Sequence, residues 1–146
     1  MRLWHKDLIP VLPRQQLLAQ WRECCAIARN IAINGTPNHL LVDKVLKYPV
    51  IHFTCYIDLV LNEMRKRNYK ISEKAFVTCH DNIVKGQEHF SHTENQYAPA
   101  FTSSIYAGWH DDRYLRQCFY NLQEKFDCGG IPEDEWRKVQ QFYEGR

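Results

Sequence analysis

Trp21-Arg22-Glu23 sets a carboxylate beside a guanidinium, on a stretch against which the first dozen residues must fold back. A free α-amine and a nearby carboxylate are the minimum equipment for imine chemistry on a sugar. An α-amine has an unperturbed pKa of roughly 8 against about 10.4 for lysine, so more of it is unprotonated and nucleophilic at neutral pH. The carboxylate can move protons and stabilise a developing cation. Met1 is the candidate amine: Arg2 is too large for the usual trimming of an initiator methionine, so Met1 is expected to be retained. Met1, Arg2 and Glu23 form the candidate catalytic set. Lys6 is a second possible amine, a good nucleophile only if it is desolvated. The alternative for Arg22 and Glu23 is an ordinary pair on a solvated helix face.

These residues need a scaffold, and the pattern is helical. Pro13 opens a helix running to about Asn34, with Gly35 as its stop. Its apolar stripe is Leu17, Leu18, Trp21, Cys24, Cys25, Ala28 and Ile31. Opposite lie Gln15, Ala19, Arg22, Ala26 and Arg29, with Glu23 at the edge. Ala19 and Ala26 flank the Arg-Glu pair with nothing larger than a methyl, leaving room for a ligand or the N-terminal segment. A short helix is expected from Thr36, its cap, to about Lys47. Pro49 opens another to about Asn68, with Val50, Phe53, Thr54, Ile57, Val60, Leu61 and Met64 inward. Further helices span about Asp111 to Phe126 and about Pro132 to Tyr143, the last anchored by Trp136 and Val139.

Residues 71–110 read as a long irregular segment. It carries His80, His89, His92, His110, Tyr97, Phe101, Tyr106 and Trp109. Such loops are often functional, and these aromatics either stack on DNA bases or cover the core. The expected fold is a single all-α domain over 1–146, with about three main helices, short helices and this segment.

Six cysteines are present, none in a Cys-x-x-Cys pair. Cys24, Cys25, Cys55 and Cys118 suit buried thiols in a reducing compartment, and all six read as core rather than as disulfides or a zinc site. His89, His92 and Glu94 lack the helix or Cys set that would make a convincing metal site. No metal and no cofactor is expected. No apolar run approaches the ~20 residues of a membrane span, and Arg2, His5, Lys6 and Asp7 interrupt any signal-peptide pattern. A cytoplasmic monomer with no membrane partner is expected.

The net charge of +2 hides an asymmetry. Residues 1–71 carry eleven Lys or Arg against five Asp or Glu, and residues 72–146 carry eight against twelve. A basic half suits a polyanion such as DNA, because bound cations release counterions from phosphates. Gln15, Arg14, Arg22, Arg29 and the run Arg65-Lys66-Arg67 are the candidate DNA-binding residues. The run also ends a helix, where cations offset the macrodipole.

Residues 14–23, Arg-Gln-Gln-Leu-Leu-Ala-Gln-Trp-Arg-Glu, resemble the first helix of the phage pyrimidine-dimer DNA glycosylases of the endonuclease V type. A weaker similarity runs from His39 through Asp43-Lys44 to Lys66-Arg67-Asn68-Tyr69-Lys70-Ile71. The opening Met-Arg-Leu-Trp-His is similar to a bacterial branch of the same family. The resemblance covers about half the chain. It implies a DNA repair glycosylase with abasic-site lyase activity, acting on lesion-bearing double-stranded DNA. In that scheme the amine attacks the sugar of a damaged pyrimidine, Glu23 assists, and β-elimination from the imine nicks the strand. Arg22 and Gln15 would hold the flanking phosphate.

Three positions depart from the family pattern. Arg2 stands where a small residue supplies the amine, Ala26 replaces a phosphate-contacting arginine, and the tail Gln-Phe-Tyr-Glu-Gly-Arg replaces an aromatic-basic one. A glycosylase for a different modified base, and a non-catalytic DNA-binding or interaction module on the same scaffold, are the alternatives.

Overall fold

The structure, a computed structural model, describes residues 1–92 and 104–146. It is all-α, with five α-helices among the described residues: α1 (Arg14–Asn34), α2 (Val50–Lys66), α3 (Glu73–Gly86), α4 (Asp112–Asp127) and α5 (Glu133–Glu144). Short 3-10 turns cover Lys6–Val11, Asp43–Lys47 and Gln87–His89. The described residues share one apolar core, to which Leu3, Trp4, Leu8, Ile9 and Leu12 contribute as fully as the helices do.

Helix boundaries follow local chemistry. Pro13 and Pro49 precede α1 and α2, their fixed φ already helix-compatible. Gly35 ends α1 at φ +78°, donating its N–H to the Ile31 carbonyl, an αL stop that glycine adopts without a Cβ clash. Ser72 Oγ accepts the Ala75 N–H at 3.2 Å to start α3, and Asp111 Oδ1 accepts the Tyr114 N–H at 2.8 Å to start α4. α5 begins after Pro132 with Glu133, Asp134 and Glu135 in its first turn, where carboxylates oppose the positive end of the helix dipole. Trp136 and Val139 anchor it in the core as expected. The Trp136 ring lies 5.4 Å from Phe119 and 5.3 Å from Phe126.

Two expectations are corrected. No α-helix runs from Thr36 to Lys47; only Asp43–Lys47 is helical, as a 3-10 turn. Thr36 Oγ1 instead accepts the Asn38 N–H at 3.1 Å, and Asn38 takes φ +58°, which breaks a right-handed helix. The segment 71–110 is not irregular throughout, since α3 occupies Glu73–Gly86.

α3 makes its main packing contact with α1, and the two run parallel. Arg22 and Ser72 line one end of their junction, Ile31 meets Gly86 farther along, and Gly35 meets His89 beyond that. The contact is close because small residues make it. A Cβ built on Gly86 would come within 2.8 Å of Ile31 Cγ2 and 3.2 Å of the Ala32 nitrogen. The cysteines divide by exposure: Cys24, Cys79 and Cys118 are buried, Cys25 and Cys55 half-buried, and Cys128 is exposed after α4, so it is not core.

Candidate active site

Residues 1–5 belong to no helix, so their buried backbone groups must find partners elsewhere. Gln20, on α1 and fully buried, makes four hydrogen bonds, two of them to this segment's backbone. Its Oε1 accepts the Trp4 N–H at 2.7 Å, and its Nε2 donates to the Arg2 carbonyl at 2.9 Å. The same Nε2 lies 3.4 Å from Glu23 Oε2, three residues along the helix. From α2, the Tyr56 hydroxyl reaches the Trp4 carbonyl at 2.6 Å and Gln20 Oε1 at 3.0 Å. From α4, the Tyr114 hydroxyl donates to the Leu3 carbonyl. Farther along, Arg67 donates to the carbonyls of Leu12, Pro10 and Ile9 at 2.8, 3.1 and 3.4 Å. The opening segment is thus a strap tied to three helices.

This strap brings the Arg2 backbone near Glu23. The Arg2 carbonyl and the Glu23 carboxylate share one amide nitrogen, and Met1 precedes Arg2. Met1 is exposed and Glu23 half-buried. Glu23 opens into a cleft of about 470 Å³ with Trp4, Gln15, Gln16, Ala19, Arg22 and Lys125 among its walls. The Arg2 guanidinium lies 5.4 Å from the Trp4 ring centre and donates to Cys118 Sγ at 3.7 Å, so it braces the strap from the side.

Lys6 is buried elsewhere. Its Nζ donates to the Ile105 and His110 carbonyls at 2.9 and 3.4 Å, and its backbone N–H to His110 Nδ1 at 3.0 Å. Burial pulls the Lys6 ammonium below its usual pKa, with Asp7 opposing. Burial, then His5 and Lys6, push His110 down to about 2. His110 is therefore neutral, with its proton on Nε2, because Nδ1 accepts. That Nε2 and the Tyr106 hydroxyl are buried without a partner among the described residues.

A family model described as pyrimidine dimer DNA glycosylase matches residues 1–77. The chain belongs to that family. The match takes in the strap, α1, α2 and the first turn of α3, and so includes Gln20, Glu23 and Tyr56. The helix that holds the Leu3 carbonyl, α4, lies outside it. Neither the curated proteins nor the solved structures contain a match to the chain.

The other glycosylase-site candidates separate. Gln15 and Arg22 line the Glu23 cleft, and Arg29 lines a neighbouring one that shares Arg22. Ala19 and Ala26 lie one in each cleft, leaving the open space their size suggested. Arg14 is exposed and stacks 4.6 Å from the Tyr69 ring centre. Arg65, Lys66 and Arg67 line neither cleft. Arg65 bonds Asn62 at 3.0 Å, and Arg67 is spent on Glu63 at 2.8 Å and on the strap carbonyls. Tyr106, Trp109 and His110 cover the core instead of facing solvent, while Tyr97, Phe101 and Glu94 lie outside the described residues. His92 Nε2 bonds the Glu88 carbonyl at 2.9 Å, and no group of three metal-ligating side chains occurs among the described residues. Among them, too, no helix is long and apolar enough to cross a membrane.

Gln20 is the functional residue that spacing does not reveal. A glutamine between two leucines and a tryptophan reads as surface, and only the folded strap gives its amide something to hold.

Proposed function

We propose that the chain is a DNA glycosylase with abasic-site lyase activity, acting on a damaged pyrimidine in double-stranded DNA through the Met1 amine and Glu23. The observation that carries this reading is the buried Gln20 amide, which bonds the Arg2 carbonyl and lies against Glu23. It ties the backbone of the residue after Met1 to the carboxylate of an open cleft that Trp4 of the strap also walls.

The amine nitrogen attacks C1′ of the damaged nucleotide, and the bond from C1′ to the base breaks, the base leaving with the bonding pair. Glu23 stabilises the cationic sugar and then relays the protons needed to open the ring to an imine. Loss of a proton from C2′ expels the 3′ phosphate by β-elimination, and water releases the amine. Arg22 and Gln15 hold the flanking strand in the cleft, with Arg14 and Arg29 farther along the same helix. Arg2 acts by bracing the strap. Lys6, held by two carbonyls and outside the Glu23 cleft, is read as a structural cation.

Borohydride trapping on an abasic-site duplex and on a thymine-dimer duplex, followed by mass mapping, tests this. An adduct at Met1, lost in Glu23→Gln, is expected. An adduct at Lys6 would discard the terminal amine. Binding without any adduct or base release would favour the non-catalytic module, and base release from neither duplex but from another modified pyrimidine would change the lesion.

A further inference from the structure

Beside the Glu23 cleft lies a second one of about 460 Å³, walled by α1 and α3. Arg22, Arg29 and Lys74 line it together with Ser72, Thr78 and Asn82, and no carboxylate and no aromatic ring is among its lining residues. Arg22 belongs to both clefts, so the two adjoin at that side chain. The floor is small, with Ala26, Ala75 and the half-buried Cys25 beneath the cations.

The spacing suits a polymer of phosphates. Arg22 and Arg29 are two turns apart on one face, about 10.5 Å along the axis. A DNA strand rises about 3.4 Å per nucleotide along the duplex axis and its phosphates lie farther apart than that along the strand itself, so the two guanidiniums are fewer than three phosphates apart on a strand laid along the groove. Because α3 runs parallel to α1, Lys74 stands toward Arg22 and Asn82 toward Arg29 on the opposite wall. Cations with hydroxyl and amide donors suit phosphate oxygens. The absence of a ring on these walls removes the stacking platform that unpaired bases need.

We propose that the α1–α3 groove carries the sugar-phosphate backbone of one DNA strand away from the Glu23 cleft, with Lys74 and Asn82 of α3 as its phosphate contacts. This rests on the DNA glycosylase reading and adds a wall that the basic face of α1 alone does not supply. Ala26 faces the same groove, so the middle of the α1 wall is open and Lys74 is the α3 cation that lines it.

Two measurements test it, both on a duplex bearing an uncleavable tetrahydrofuran abasic analogue. The first is the salt dependence of binding. Lys74 is exposed, so Lys74→Gln leaves the fold intact. It is expected to make the slope of log K against log salt shallower by about 0.9, with Asn82→Ala weakening binding without changing the slope. The second is alkylation of Cys25 by N-ethylmaleimide, read by mass mapping. The Cys79 thiol hydrogen-bonds Cys25 and holds it below the usual thiol pKa, which favours reaction near neutral pH. Duplex is expected to slow Cys25 while the exposed Cys128, which lines neither cleft, reacts as before. Tight duplex binding with an unchanged slope in Lys74→Gln and undiminished Cys25 alkylation would overturn the groove and leave the active-site reading standing. A wild-type protein that neither binds the duplex nor gives a borohydride adduct would overturn both.

Discussion

Replacing Gln20 by leucine removes a side chain that bonds both the strap and Glu23, while keeping its volume. The Tyr56 hydroxyl keeps the Trp4 carbonyl as a partner, at 2.6 Å. The Trp4 N–H and the Arg2 carbonyl lose theirs, and each stranded group costs about 1–3 kcal/mol. With the added apolar burial offsetting part of this, the expected destabilisation is roughly 2–4 kcal/mol, within the ~5–15 kcal/mol by which a domain is stable. The protein therefore still folds at 25 °C. Its strap no longer fixes Met1, and a displacement of about 1 Å at a reacting group costs about 10²-fold. Single-turnover cleavage and borohydride trapping on an abasic-site duplex, with urea denaturation on the same samples, separate the two effects. Gln20→Glu supplies a further readout. It keeps the oxygen that accepts from Trp4 and Tyr56 but puts a second carboxylate where Nε2 now lies 3.4 Å from Glu23. Two carboxylates at that distance hold a proton between them, so the acidic limb of the activity profile moves to higher pH. A folded Gln20→Leu protein that traps DNA at the wild-type rate would refute Gln20 as a positioning residue.

Three other outcomes are expected. His110 is held near 2 in the fold against about 6.5 unfolded, so below pH 6.5 the unfolded chain takes up a proton that the folded one refuses. Stability from this group is present above pH 6.5 and falls with pH, by about 2 kcal/mol from pH 7 to 5, and urea midpoints at the two pH values check it. His5 and the half-buried His52 are lowered in the same direction, so a flat profile would contradict the desolvation of all three. Gly86→Ala forces a methyl into Ile31 and the α1 backbone, and a loss of about 1–3 kcal/mol in the thermal or urea transition is expected. One residue added ahead of Met1 moves the amine by up to about 3.5 Å, so on the proposed mechanism trapping falls steeply while duplex binding persists; unchanged trapping would point to a side-chain amine.

Most of the helical frame is legible because its signals are local. Pro13, Gly35, Pro49 and Asp111 mark boundaries through their own backbone or capping chemistry, and the stripes of α2 and α4 are bulky and regular. α3 is not legible for the opposite reason. Its buried positions are Cys79 and Gly86, while Phe76, Val77 and Val84 are exposed, so its apolar pattern points away from the interface it makes. The site divides in the same way. Arg22, Glu23 and the two alanines announce themselves by type and spacing. Gln20, Tyr56 and Tyr114 act through partners 16 to 111 residues away in sequence, and no periodicity encodes those pairings. In the Arg65-Lys66-Arg67 run, read as a phosphate patch, Arg67 is turned to the strap carbonyls while Arg65 and Lys66 stay exposed.

Those long-range bonds share a purpose. Chain ends are ordinarily the least ordered part of a domain unless they are tied down, and a terminal amine can act as a nucleophile with useful geometry only if its end is held. Here Gln20, Tyr56, Tyr114, His110 and Arg67 each hold a backbone group between Arg2 and Leu12. Buried polar groups are costly unless paired, and the two found orphaned among the described residues, Tyr106 Oη and His110 Nε2, lie in the segment that packs against the strap at Lys6. A fold needing only stability would fill this region with apolar side chains. The polar ties are concentrated on one short stretch instead, and the first of them leads from the Arg2 carbonyl through Gln20 to Glu23.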